Sequence, residues 1–362
     1  MDITPAGPVR VTASVHRAGA APGDPVPYAG EDSFTFVRVQ VRDGDGVTGN
    51  GFTGRFLAAE VAHLLNGAVA EAMAQPVPLP DLMRRLNPRG MTGVVVSALS
   101  ALDVALWDLA GQRSGQSVAA MLGAQRPAAP VHVTCGFPAL ETDALVSACA
   151  SEVAAGAAGV KVLVAAKGRS VEEDAGRLRA VRAAIGSGPD LIADANCGWD
   201  LDSARAFARA VADLDLAWLE EPVRGNDRHA LAALSTEGFV PLGAGQMEQG
   251  ADRFDLLAEA GVRVIQPNAV FAGGIGAAVA AARVALARGC AVSPAGGWDL
   301  VNLHWMCGAL EGGAVELHRA QGRIARLLMA EPPQMQNGVL KVRAAPGLGL
   351  RPDEAALAAC RV

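Results

Sequence analysis

Asp190-Leu191-Ile192-Ala193-Asp194-Ala195-Asn196 and Leu216-Ala217-Trp218-Leu219-Glu220-Glu221-Pro222 each run through a short apolar stretch and end on an acid. A brief apolar run bounded by turn residues reads as a buried strand of a parallel sheet. Working outward, runs of the same kind recur at 131–135, 159–165, 239–244, 262–266, 290–293 and 314–318, with helix-period segments between them. Val171 to Ile185 is one such helix, with Ser170 placed to cap it and Glu173 three residues on. Eight strand–helix units joined by short turns predict an α/β fold, a closed (β/α)₈ barrel of the TIM type over residues 126–330. A doubly wound open sheet is the rival.

The chain before residue 126 has a different rhythm. Val37, Val39 and Val41 alternate with Arg38, Gln40 and Arg42, the period of a half-buried strand, and Asp43-Gly44-Asp45-Gly46 supplies a turn, so 34–56 reads as a hairpin. Residues 57–74 and 94–114 have helical apolar spacing, and the Gly/Pro/Ala-rich stretch 17–33 reads as a loop. Residues 1–125 therefore form an α+β capping domain, which the tail 331–362 folds back to complete.

Composition excludes several roles. A formal charge of −6 without a basic run argues against nucleic acid as a partner. The six cysteines show no C-x-x-C spacing, which fits buried thiols in a reducing compartment. The uncharged stretch Val264 to Ala282 contains Gln266, Pro267, Asn268 and three glycines, and so reads as strand, loop and helix start rather than a membrane span. With no signal-peptide pattern at Met1-Asp2-Ile3-Thr4-Pro5, the expected location is cytoplasmic.

In a parallel barrel the chemistry sits at the C-terminal ends of the strands. Asp194 and Glu220 end adjacent strands, and two hard oxygen donors on rigid elements are what Mg²⁺ takes, with water and substrate oxygens completing its shell. Such an ion can hold a carboxylate and stabilise the enolate formed when the neighbouring carbon loses its proton. Either acid alone is more often a helix cap or a loop ion pair. It is the succession Asp-Ala-Asn, Glu-Glu-Pro and Gln266-Pro267-Asn268 at consecutive strand ends that points to a site.

These motifs, with Gly273-Gly274 and the segment Ser97 to Ala110, which contains Ser100-Ala101-Leu102-Asp103-Val104-Ala105-Leu106-Trp107-Asp108-Leu109-Ala110, resemble the enolase superfamily, specifically its mandelate racemase and muconate lactonizing enzyme branch. The resemblance covers nearly the whole chain. It implies metal ligands at Asp194, Glu220 and, at the fifth strand end, Gln246, with Glu248 close by. It implies substrate contacts at Asn196, Glu221, Asn268 and Trp298. It further implies a small-molecule carboxylate substrate (a sugar acid, hydroxy acid or amino acid) and a homo-oligomer, dimer or octamer.

The departures from the family pattern are equally specific. Gln246 stands where a third acid is usual, which predicts a weakened Mg²⁺ site. Aligned by bounding glycines, the family's Lys-x-Lys bases fall on Val164 and Ala166. Lys161 and Lys167 are the lysines nearby, placed by alternation on the opposite face from 164 and 166. The sixth and seventh strand ends carry Asn268 and Ala295, neither of which takes a proton, and Asp299 and His304 read as a helix cap and a helix-face residue. The expected function is metal-dependent α-proton abstraction leading to dehydration or epimerisation, with Lys167 or Lys161 as candidate base. A Lewis-acid reaction needing no strong base is a variant of that reading. The alternative is a catalytically inactive homologue that binds a ligand or serves as a scaffold.

Overall fold

The computed structural model describes residues 3–30, 32–166 and 168–362. Its N-terminal part is an antiparallel sheet of β1 (Arg10–Gly19), β2 (Ser33–Arg42) and β3 (Thr48–Thr53), in that order. The expected hairpin is thus joined by a third strand, and residues 17–19, read as loop, belong to β1. Val37, Val39 and Val41 face helices of this domain, as the alternation predicts. The other face of β2 is only partly solvated: Arg42 is exposed and Gln40 half-buried. Arg38 is buried beneath the C-terminal helix Glu354–Ala359, where it pairs with Glu354 at 2.7 Å and donates to Asn50.

Helix Val94–Ser114 packs across β3 so closely that a Cβ on Gly49 or Gly51 would stand 2.1 and 1.9 Å from the carbonyls of Ala105 and Ala101. This helix is long and apolar enough to cross a membrane, but 78% of its apolar window is buried inside the protein, as a core helix is. Its two buried acids knit the molecule together. Asp103 accepts from Ile275 N–H at 2.5 Å, at the start of helix Ile275–Ala287. Asp108 accepts from Asn50 N–H of β3 and from Leu348 N–H of the tail, each at 2.8 Å.

The barrel strands are β4 (Ala128–Gly136), β5 (Gly159–Leu163), β6 (Asp190–Asp194), β7 (Trp218–Glu220), β8 (Leu242–Ala244), β9 (Val264–Ile265), β10 (Ala291–Val292) and β11 (Val315–His318). They pair in parallel in the order β10-β9-β8-β7-β6-β5-β4-β11, and the Ser293 hydroxyl donates across to Ala314 O at 3.4 Å, joining the two ends. This is the (β/α)₈ barrel rather than the open sheet. The capping box on Val171–Ile185 is present, with Ser170 and Glu173 satisfying each other's backbone N–H groups. In the tail, β12 (Val339–Lys341) pairs antiparallel with the start of β4, while Cys360 O accepts from Arg17 N–H of β1 at 2.8 Å.

Candidate active site

A cavity of about 120 Å³ opens at the C-terminal ends of the barrel strands, under the loop between β1 and β2. Its lining includes Pro27 and Tyr28 from that loop, Arg55 and Phe56 from the segment after β3, and Thr134, Lys161, Leu163, Asp194, Asn196, Gln246, Trp298, Glu316 and His318 from the barrel.

At its base Lys161 is gripped by three carboxylates: Glu220 at 2.7 Å, Glu316 at 3.1 Å and Asp194 at 3.5 Å. Parallel registry explains the convergence. β5, β6 and β7 are neighbours with Leu163 opposite Asp194 and Asp194 opposite Glu220, while β11 closes the circle on β4. Side chains alternate along a strand, so Lys161 and Leu163 point into the barrel whereas Val160, Val162 and Val164 pack in the hydrophobic core. This corrects the alignment by glycines. The inward pair at the end of the second barrel strand is Lys161 and Leu163, not Val164 and Ala166. Lys167 lies outside the described residues.

Burial alone would drive the Lys161 proton off, but Glu220, Glu316 and Asp194 outweigh it and hold the ammonium well above its usual range. Burial raises the Asp194 carboxyl well above its usual range, with the Glu220 charge adding to the rise and Lys161 opposing it. Burial acts upward on Glu316 too, yet Lys161, His318, the Thr134 hydroxyl and the Gly297 N–H bring it down to about 2. Glu220 also accepts from Gln266 Nε2 at 2.7 Å and Trp218 Nε1 at 3.1 Å.

The other expected residues separate. Asn196 lines the cavity in a left-handed conformation, φ 47°, and its N–H donates to Asp194. Trp298 lines it as well and stacks on Phe52 of the cap. Glu221 does not reach it. At φ 40° its carboxylate accepts from the backbone N–H groups of Gly245 and Gln246 and from Asn226, so it ties the end of β7 to the loop carrying Gln246 and faces a separate cavity. Three bonds of this kind hold a backbone that is otherwise strained. Asn268 is also absent from the cavity. It is fully buried and braces the next loop through Ala295 O at 2.6 Å and Gly297 O. Glu248 pairs with Arg253. Asp299 is the first residue of helix Asp299–Ala309 and not its cap, which is Trp298, and burial lifts its carboxyl to about 6. His304 is buried on that helix, and its burial lowers the imidazole to about 4.

Glu316, His318 and Thr134 were not among the sequence candidates. The signal for them lies in the polar residues within and at the ends of the apolar runs 131–135 and 314–318, Thr134 in the first and Glu316 and His318 in the second.

A capped (β/α)₈ barrel with a buried acidic cluster at the strand ends defines a class of enzyme scaffold. The N-terminal part, residues 25–123, matches the mandelate racemase / muconate lactonizing enzyme N-terminal domain, and residues 144–356 match the enolase C-terminal domain-like family. The chain belongs to the mandelate racemase/muconate lactonizing enzyme family of the enolase superfamily, a family of lyases and isomerases. It is 29% identical to the 3,6-anhydro-alpha-L-galactonate cycloisomerase of Streptomyces coelicolor over 95% of this chain and 92% of that one. It is 28% identical to the arabinonate dehydratase of Saccharolobus solfataricus over 72% and 71% of the two chains. Among solved structures, a racemase from Streptomyces coelicolor with bound magnesium superposes with a TM-score of 0.84 at 26% identity, over 98% of this chain and 99% of that one.

The donors at the strand ends decide whether such an ion fits here. Among the described residues no trio of His, Cys, Asp and Glu is grouped to hold a metal. What the strand ends offer is two carboxylates, Asp194 and Glu220, beside the Gln246 amide. Charge favours a cation here. Asp194, Glu220 and Glu316 are all buried here, set among the described residues against the single ammonium of Lys161. Uncompensated buried charge is costly, and hard oxygen donors suit Mg²⁺. The residues fit the ion, with one formal charge fewer than three acids would give.

Proposed function

We propose that this protein is a divalent-metal-dependent enzyme that removes the α-proton of a small carboxylate, with a sugar acid as the favoured class, and completes a dehydration or an epimerisation. The observation that carries the reading is the convergence of Asp194, Glu220 and Glu316 on the Lys161 ammonium inside a cavity roofed by the capping domain. The relatives named as dehydratase and cycloisomerase support the reaction class.

Asp194 and Glu220 would hold Mg²⁺, with the Gln246 amide oxygen as a third, uncharged donor that makes the site weaker than a three-acid one. The ion, when bound, supplies electrophilic stabilisation of charge that builds on the substrate carboxylate. Lys161 adds a fixed ammonium facing the same charge. Asn196, Gln246 and Arg55 line the cavity with groups that can hydrogen-bond the polyol of a sugar acid. Trp298, Phe56 and the β1–β2 loop shield the cavity from water, which strengthens each of these electrostatic contacts. We assign the protein to the cytoplasm as a homo-oligomer, the state to be read by light scattering.

The test is α-proton exchange in D₂O, followed by NMR across a panel of sugar, hydroxy and amino acids with Mg²⁺ present. The reading expects exchange of at least one acid, lowered at least about 100-fold in Glu220→Gln, the loss typical of one electrostatic contact to a transition state. Failure of every acid to exchange would leave a barrel that binds without turning over.

A further inference from the structure

Lys161 is committed to three carboxylates, so the site needs a different proton acceptor. Of the other polar groups on the cavity, Asp194 is a proposed metal ligand and Glu316 is paired with Lys161; Asn196, Gln246 and Gln321 are amides and take no proton, Thr35 and Thr134 are hydroxyls, Arg55 is permanently charged, and the Tyr28 phenol is a donor at neutral pH. Among the described residues His318 is the one imidazole on the lining. It ends β11, two residues beyond Glu316, and therefore points to the same side of the strand.

Its ring is held between Phe34 and Phe137, with centroids 6.0 and 5.4 Å away. Phe137 belongs to a small apolar cluster with Leu163, the cavity position where the second inward lysine of a Lys-x-Lys pair would stand. The Nδ1 atom is buried and has no hydrogen-bond partner among the described residues. The charged groups that face the ring are Glu316, Lys161 and Arg323. Burial dominates and lowers the imidazole to about 4 despite the Glu316 charge, so it is neutral at pH 7.

Resting on the function proposed above, we infer that His318 is the catalytic base of this site, taking the α-proton from the side of the substrate that Leu163 leaves without a lysine. An imidazole nitrogen forms a bond to the proton, and the C–H electron pair moves into the carboxylate to give an enolate facing Lys161. In a dehydration the pair returns to expel the β-hydroxyl, which leaves as water with the proton that His318 gives back. No oxidant or further reactant is required.

The experiment compares wild type with His318→Gln and His318→Asn, using the same acid panel, Mg²⁺ and D₂O exchange, and also reads the His318 ring by ¹⁵N NMR. The expected result is exchange reduced at least about 100-fold in both variants, with Mn²⁺ binding retained as proof of an intact fold. The wild-type rate should fall as pH drops through the imidazole titration, and neither variant should show that limb. Variants that exchange like wild type, with the same pH limb, overturn the base assignment and leave the proposed function standing. A wild-type ring found cationic at pH 7 overturns it equally, whatever the variants do. Wild type that exchanges no acid overturns both.

Discussion

At the scale of single residues, Lys161 is the pivot. Among the described residues its ammonium is the one cation paired with Asp194, Glu220 and Glu316, so removing it exposes three buried charges to one another. Lys161→Met is expected to lose about 3–5 kcal/mol of stability, the usual consequence of breaking a buried ion pair from one side. Urea denaturation would measure it, and excess Mg²⁺ should restore part of the loss. Stability unchanged by the substitution would contradict the buried network. Asp194, Glu220, Asn196 and Gln246 were legible in the sequence because each terminates a strand or follows its end directly. The register of Lys161 is hidden in the sequence, because the bounding glycines 159 and 168 suggest a longer strand than the hydrogen-bonded one, which ends at Leu163. Glu221 and Asn268 look like ligands in one dimension. Only the folded chain shows that their polar atoms are spent on backbone groups of the neighbouring loops.

At the scale of elements, helix Val94–Ser114 does more than fill the core. Asp108 ties β3 and the tail to it, and Asp103 receives the start of Ile275–Ala287. An apolar helix carrying two buried acids is costly unless every oxygen is used, which accounts for an Asp-rich motif that has no part in the chemistry. Asp108→Ala would strand the Asn50 and Leu348 N–H groups, and a loss of about 3 kcal/mol is expected from two unpaired buried donors. Thermal or urea unfolding checks it, and a change below about 0.5 kcal/mol would place the coupling elsewhere. The eight barrel strands and helix Val171–Ile185 were readable from periodicity and capping. β1 was not, since its residues mix Arg, His and Ser with small apolar groups, and its pairing with β2 is a long-range fact.

At the scale of the whole molecule, the cap keeps an apolar core of its own around Val37, Val39 and Val41, while the barrel core extends beyond the barrel to take in Phe36 and Trp107 of the cap and Leu348 of the tail. Acid should therefore undo the protein as a unit. His304 is buried neutral at about 4 against 6.5 when exposed, so the unfolded chain binds the extra proton between those values. Its contribution is full above pH 6.5 and drains as pH falls towards 4, on the order of 3 kcal/mol for this shift. Glu316 follows at lower pH. Its ion pairing is fully present above about 4.5 and is lost as pH falls towards about 2. Urea midpoints measured from pH 8 to 4 should decline mainly below 6.5. A flat profile over that range would contradict the burial of His304 and His318 together, since Asp299, held at about 6 and relieved by acid, offsets only one of them.

The measurement that bears most directly on the account is Mn²⁺ binding by electron paramagnetic resonance, with Mg²⁺ as competitor, on wild type, Gln246→Glu and Glu220→Gln. One ion per chain is predicted for wild type, held about tenfold more tightly in Gln246→Glu, since affinity follows the charge of the ligand set, and lost in Glu220→Gln. No bound ion at excess metal in wild type, or binding indifferent to both substitutions, would show that the acids at the barrel mouth are not a metal site.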